Sequence, residues 1–199
     1  KTAHAILLAK QHQCPIISAD SRQIYRDLPI GTAAPTLQEQ QEVQHYMVGF
    51  KELHENYNAG QFAQEAETLL QQLFQQYENV VLVGGSMMYE KAVIEGLNDL
   101  PESNAENQQK LESIFNEQGI EKLQEMLEEL DPEYYNEVDI HNPRRLFRAI
   151  DIIWQTGQTY SENIAKPKET RNCVTTRIGI QAPREKIYER INLREEKMM

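Results

Sequence analysis

Cysteine is almost missing from this sequence. Cys14 and Cys173 are the two that occur in 199 residues, and no paired spacing joins them. A disulfide scaffold and a cysteine-based zinc site are thereby excluded, and a reducing cytoplasm is the expected setting. Long apolar runs are missing as well. The strongest, Val80-Val81-Leu82-Val83, has the length of a buried strand, far from the roughly 20 residues that cross a bilayer. No membrane span is expected. No basic-then-apolar leader is present either, although a chain that starts at Lys1-Thr2 does not exclude a removed one. Internal repeats and low-complexity linkers are absent too.

What is present fits an ordinary globular chain. Apolar residues make up 40% and aromatics 8%, with a mean hydropathy of -0.65, enough for one large or two small domains with a real core. The net charge of -11 argues at first against nucleic acid. It hides an asymmetry. Residues 1–140 hold 8 Lys/Arg against 24 Asp/Glu, a balance of -16, whereas residues 141–199 hold 12 against 7, a balance of +5. The acidic part is rich in Glu and Gln at helical spacing and reads as solvated helix face. A polyanion would meet the C-terminal third.

Periodicity gives the organisation. Residues 3–12 read as a helix, and Pro15-Ile16-Ile17-Ser18-Ala19 as a short strand ending on Asp20-Ser21. Gly31-Thr32-Ala33-Ala34-Pro35 is a loop, with Thr36 the cap of a short helix through Glu42. Asn58 caps a longer helix whose apolar positions Phe62, Ala66, Leu69, Leu70, Leu73 and Phe74 keep a 3.6-residue period. The 80–83 strand stops at Gly84-Gly85, and a helix follows from Ser86 to Glu95. Helix, strand, helix, strand, helix is the pattern of a parallel sheet covered by helices, in which ligands sit beyond the carboxyl ends of the strands. Asp20-Ser21 and Gly84-Gly85-Ser86 should then meet on one edge. After Pro101 the pattern turns helical, with an apolar stripe of Leu111, Phe115, Leu123, Met126, Leu127 and Leu130 over 104–130. Asp131-Pro132 breaks it, and Asn142-Pro143 starts a helix that stops at Gly157. Residues 173–181 alternate as a strand returning to the sheet, and Pro183 opens a last basic helix.

Several residues could carry chemistry. Lys1-Thr2 at the head of a helix is the ending of a phosphate-binding loop, whose lysine meets phosphate and whose hydroxyl meets magnesium, but the glycines of that loop are not in this sequence. Asp20 at a strand end could ligate magnesium, act as a general base or cap the next turn. Ser86 could offer a hydroxyl and backbone N–H groups to an anion or simply cap its helix. Arg144, Arg145 and Arg148 cluster at one helix start; they suit phosphates, and equally a solvated face or pairing with nearby acids, with Asp151 placed to neutralise Arg148. His45 and His141 lack partners at metal-ligand spacing and read as hydrogen-bonded structural histidines. Met87-Met88 reads as core packing.

Taken in order, these blocks resemble the tRNA dimethylallyltransferase (isopentenyltransferase) family. Lys1-Thr2 matches the end of its phosphate loop. Ile17-Ser18-Ala19-Asp20-Ser21-Arg22-Gln23-Ile24-Tyr25 is similar to its I-S-x-D-S-x-x-x-Y block, and Ile30-Gly31-Thr32-Ala33-Ala34-Pro35 to I-G-T-A-K-P. Leu82-Val83-Gly84-Gly85-Ser86-Met87-Met88-Tyr89 is similar to L-V-G-G-T-x-x-Y. His141-Asn142-Pro143-Arg144-Arg145-Leu146-Phe147-Arg148-Ala149 is similar to H-x-N-D-P-x-R-L-x-R-A. The resemblance spans nearly the whole chain.

It implies an α/β, P-loop NTPase-like parallel sheet flanked by helices, with an all-helical insertion subdomain. The expected divisions are a core at 1–100, a tRNA-facing insertion at 101–157 and a return to the core at 158–199 that continues past the last residue. The implied activity moves a dimethylallyl group from dimethylallyl diphosphate to the exocyclic amine of the adenosine 3′ of the anticodon, with Mg2+ as cofactor. A cytoplasmic monomer with tRNA, through its anticodon stem-loop, as partner is expected. By carry-over, Lys1 and Thr2 hold the diphosphate, and Thr2 its magnesium. Asp20 is the general base, with Lys1 and Ser86 also catalytic, and Ser86 stands for the usual threonine. Asp20, Ser21, Arg22, Gln23, Thr32 and Ser86 contact the target nucleotide region. Gln108, Arg144, Arg145, Leu146, Phe147 and Arg148 form the rest of the tRNA surface.

Two departures reduce that carry-over: Gln108 stands where relatives often have arginine, and Ala34 where the common block has lysine. Other readings are a P-loop small-molecule kinase, a prenyltransferase acting on free AMP, ADP or ATP, and a non-catalytic tRNA-binding module. The kinase leaves the arginine helix unexplained. The basic third favours tRNA over free nucleotides, and Asp20 with the Thr2 and Ser86 hydroxyls argues for catalysis.

Overall fold

The computed structural model describes residues 1–98, 100–165 and 173–198. In chain order the elements are α1 (Thr2–His12), β1 (Ile16–Ser18), α2 (Leu37–Glu42), β2 (His45–Tyr46), α3 (Ala59–Leu73), β3 (Val81–Val83), α4 (Met87–Glu95), α5 (Ala105–Leu130), α6 (Pro132–Glu137), α7 (Pro143–Thr156), α8 (Tyr160–Ala165) and α9 (Arg184–Met198). They form two compact units: residues 1–97 with the C-terminal residues from 173 on, and the helical residues from 98 to 165.

In the first unit a three-stranded sheet has the order β2-β1-β3, all parallel. Central β1 is fully buried, and its apolar residues pack on both sides. One cluster joins Ile17, Ala19 and Ile24 to Phe62, Ala66 and Leu73 of α3 and to Tyr89 and Val93 of α4. The other joins Ile16 to Ala5, Ile6 and Ala9 of α1 and to Val43. Each large side chain fully withdrawn from water contributes about 1.5–3 kcal/mol. Local signals set the helix starts. Thr36 with Glu39, and Asn58 with Gln61, form reciprocal capping boxes.

Gly84 governs how closely the strands can end. A Cβ there would lie 1.9 Å from the carbonyl oxygen of Ala19. Only glycine admits that approach, which keeps Ala19 N–H on the Val83 carbonyl at 2.8 Å and Ser86 N–H on the Ala19 carbonyl at 3.2 Å.

Residues 173–181, expected to be a strand, have no regular secondary structure. A strand exists by pairing, and among the described residues no strand pairs with this segment, although its Arg177 side chain reaches Glu95 at 2.7 Å; Val174 is 98% exposed, and Ile178 and Ile180 are exposed too. Met87 and Met88, expected in the core, are 83% and 61% exposed, because the α4 face carrying Tyr89, Ala92 and Val93 is the one that packs inward. His45 is the structural histidine expected, its Nδ1 2.7 Å from the Val43 carbonyl. The exposed His141 is not: its own hydrogen bond is from its backbone N–H to Asp139.

The second unit buries Leu111, Leu123 and Leu127 of α5 against Leu146, Ala149, Ile150 and Ile153 of α7. The single helix read over 104–130 is kinked at Gly119, where φ is 77°. Two buried carboxylates fasten the unit. Asp151 accepts hydrogen bonds from Asn104 N–H (3.3 Å), Asn107 Nδ2 (2.9 Å) and Gln155 Nε2 (3.0 Å). Asp131 caps α6 through Tyr134 N–H (3.0 Å) and also receives Ser161 N–H (2.7 Å) and the Ser161 hydroxyl. That tie explains why the expected boundary at 157 falls later: α8 belongs with the helical unit. Asn142 precedes α7 as read, but its side chain makes no capping bond.

Burial alone would raise the Asp131 carboxyl, but the bonds from Ser161, Tyr134 and Tyr160 outweigh it and hold the group below the ordinary carboxylate value. Its folded value is therefore depressed, so its stabilisation is present above the unfolded value of about 4 and lost as pH falls through the folded one. Urea unfolding of the helical unit should show Asp131→Asn about 1–3 kcal/mol less stable at neutral pH, with the difference shrinking near pH 3. Gly84→Ala should cost at least about 3 kcal/mol, while Gly31→Ala, with open space around it, stays within about 1 kcal/mol. Denaturation midpoints of the two variants check this.

Candidate active site at the strand ends

Parallel pairing in register, Ser18 opposite Val83, brings the carboxyl ends of β1 and β3 to one edge. There Asp20, Ser21, Arg22, Gly85 and Ser86 line a cleft of about 310 Å³. The convergence read from the sequence is thus present.

Asp20 is half-buried, and its two oxygens do different things. Oδ1 accepts the backbone N–H groups of Arg22 (3.0 Å) and Gln23 (3.3 Å), the turn-capping arrangement of an aspartate. Oδ2 accepts no hydrogen bond among the described residues and faces Gly85, where an added Cβ would lie 2.9 Å away. The capping oxygen and the unbonded one belong to the same carboxylate.

Ser86 begins α4 without capping it. Its oxygen accepts Ser21 N–H at 2.8 Å, and its hydroxyl donates to Ser21 Oγ at 2.9 Å. The two strand ends are tied through this pair. Below lies Tyr89, stacked on Phe62 with centroids 4.4 Å apart. Burial first, then the neighbouring Tyr25 and Asp20, push its phenol upward, so it stays neutral beside the carboxylate. Tyr89 was given no role in the sequence reading, although its place three residues after Ser86 on a helix is enough to put it under that end of the cleft.

Lys1 reaches the same edge, its Nζ donating to the Gly84 carbonyl at 3.1 Å. Thr2 is half-buried in the first turn of α1. Gln23 bonds Ser18 and the Thr32 and Ala33 carbonyls. The Thr32 hydroxyl donates to Leu28, and its carbonyl also receives Arg194 at 3.3 Å. Among the described residues no three Asp, Glu, His or Cys groups gather as a metal cage.

In the helical unit, Arg144 and Arg145 are exposed and in no ion pair among the described residues. Arg148 is engaged: it donates to the Pro101 carbonyl at 2.7 Å and lies 3.6 Å from Asp151. The pairing of Asp151 with Arg148 expected from the sequence is present. Leu146, grouped with the tRNA-facing residues, is fully buried, because its side of α7 faces α5; no side-chain contact with a nucleic acid is open to it. Phe147 is half-buried edge-on to Phe115, with centroids 6.0 Å apart. Gln108 is half-buried on α5.

Comparison with known proteins adds the family. The model of the IPP transferase family matches residues 23–199. A tRNA dimethylallyltransferase 1 of Bacteroides thetaiotaomicron is 44% identical over all of this chain, which covers 65% of that protein. A tRNA dimethylallyltransferase of Cytophaga hutchinsonii is 41% identical, again over the whole chain and 66% of its own length. The chain thus spans a little under two thirds of the length of these relatives. Among solved structures, a full-length tRNA isopentenylpyrophosphate transferase of Bacillus halodurans is similar with a TM-score of 0.60 and 30% identity, over 100% of this chain and 61% of that one. A eukaryotic dimethylallyltransferase, captured acting on tRNA, has a TM-score of 0.78 at 22% identity, over 100% of this chain and 49% of its own, and shares the fold. The parallel sheet between helices is the P-loop NTPase-like arrangement of these transferases. With a family model over most of its length and relatives of this identity across all of it, the chain belongs to the IPP transferase family.

Proposed function

We propose that the protein containing this chain is a tRNA dimethylallyltransferase of the cytoplasm, moving the prenyl group of dimethylallyl diphosphate to the exocyclic amine of the adenosine 3′ of the anticodon. One observation carries the reading: Asp20 turns an unbonded carboxylate oxygen toward a cleft that it shares with the Ser21–Ser86 hydroxyl pair.

The adenine amine is a weak nucleophile because its lone pair is delocalised into the ring. As the new C–N bond forms, Asp20 Oδ2 takes the amine proton. Ser21 and Ser86 supply hydroxyl hydrogen bonds beside it, and Arg22, exposed at the rim, lies toward the nucleotide backbone. The allylic C–O bond breaks with charge collecting on the departing diphosphate. Lys1, already at the Gly84 carbonyl, and the N-terminal N–H groups of α1 stabilise that charge. The donors fit magnesium: the Thr2 hydroxyl in the first turn of α1 would be one ligand, and the anionic substrate would provide most of the other oxygens. Bound there, magnesium would neutralise the leaving group. Arg144 and Arg145, exposed and in no ion pair among the described residues, serve tRNA phosphates. An adenosine in an exposed loop is cheap to flip out of its stack toward the cleft.

Full-length protein with labelled dimethylallyl diphosphate, magnesium, and unmodified tRNA and AMP as competing acceptors tests the reading. Label should enter tRNA, and Asp20→Ala should lower the rate by about 10²–10⁴-fold. Label in AMP alone would make the protein a free-nucleotide prenyltransferase; no label, with ATP consumed on small acceptors, would make it a kinase. Arg145→Glu should weaken tRNA binding and flatten its logarithmic salt dependence by about one unit, with diphosphate binding unchanged. Filter binding across a salt series reads this out.

A further inference from the structure

Gln23 is placed by family resemblance among the residues that touch tRNA, yet its carboxamide is spent inside the protein. Nε2 lies 3.2 Å from the Thr32 carbonyl and 3.1 Å from the Ala33 carbonyl, so both of its hydrogens have acceptors. Oε1 accepts the hydroxyl of Ser18 at 3.1 Å. Ser18 is 3% exposed, and turning Gln23 outward would leave that buried hydroxyl without a partner. The same residue's backbone N–H caps Asp20 Oδ1 at 3.3 Å, and its carbonyl accepts Gly49 N–H at 2.9 Å. The loop it grips has bonds of its own, from the N–H groups of Thr32, Ala33 and Ala34 to the carbonyls of Leu28, Ile30 and Pro29, but it also holds a strained residue. Ala33 has φ of 46°, a left-handed conformation unfavourable for a residue with a Cβ, and its carbonyl is one of the two that Gln23 holds.

We infer that Gln23 is a positioning residue rather than a tRNA contact: it braces the loop at 28–34 against the end of β1 and fixes the turn that aims Asp20. Its purpose rests on the prenyl-transfer reading; its geometry does not. If Asp20 Oδ1 is to stay capped while Oδ2 faces the cleft, the turn must not shift. One side chain joins the strand, the turn and the loop into a single frame.

Two measurements on the full-length protein test this, with Gln23→Ala and Ser18→Ala beside the unaltered protein. The first is hydrogen exchange without tRNA. Amides 32–34, bonded to Leu28, Ile30 and Pro29, should exchange about tenfold faster in Gln23→Ala, and faster by a smaller factor in Ser18→Ala, because local opening sets their protection. The second is steady-state prenyl transfer to tRNA. For Gln23→Ala, kcat should fall about 10–100-fold while KM for tRNA stays within about twofold, the mark of a misaimed base rather than a lost contact. Unchanged exchange in either variant overturns the brace. A raised KM with kcat retained overturns it as well and returns Gln23 to the tRNA surface. Absence of transfer by the unaltered protein would defeat the functional reading, and the exchange data would still decide the brace.

Discussion

Backbone contact between Gly84 and Ala19 is the constraint on which the site depends. Strand β3 can lie against the end of β1 because no Cβ stands between them. Ala19, one residue past β1, is then bonded to both Val83 and Ser86, and Asp20-Ser21 and Gly85-Ser86 line the cleft beyond it. The chemical groups come from side chains, but their meeting is a backbone event. Lys1 donates to the carbonyl of the same glycine, so the start of α1 and the carboxyl ends of β1 and β3 share one reference point.

The helical unit solves a different problem. Its faces are held apart from water by leucines and isoleucines, while its termini are aligned by buried acids. Asp151 and Asp131 gather backbone and side-chain donors that would otherwise be orphaned at helix ends. Arg148 is drawn into that scaffold, whereas Arg144 and Arg145 one turn earlier remain in solvent. Three arginines that look equivalent in sequence thus divide into one that holds the helix and two that are exposed to solvent.

Much of this was legible beforehand. Capping signals at Thr36 and Asn58, and the run at 80–83 stopped by glycines, place α2, α3 and β3 because each signal is local and chemical. The meeting of Asp20 with Ser86 followed from parallel topology alone. Other features were not legible, for physical reasons. The alternation at 173–181 says that a strand could form but not that a partner exists. Met87 and Met88 are apolar, yet which face of α4 packs inward is decided by Tyr89, Ala92 and Val93. The tie between Asp131 and Ser161 spans 30 residues and has no local signature. Gln23 could be matched to a motif, but where its hydrogens go depends on a loop ten residues away.

Ser86 stands where the resembling block carries threonine, and the difference is one of stiffness. A branched Cβ restricts χ1, so a threonine hydroxyl is aimed largely by sterics. Serine has no such restriction, and here its rotamer is set by what its oxygen binds, the N–H and Oγ of Ser21. The two serines therefore act as one rotor: the orientation of either hydroxyl is conditional on the other. In this chain the aim of the cleft's hydroxyls is a cooperative property of two residues 65 positions apart, held by hydrogen bonding where a methyl group would have held it by shape.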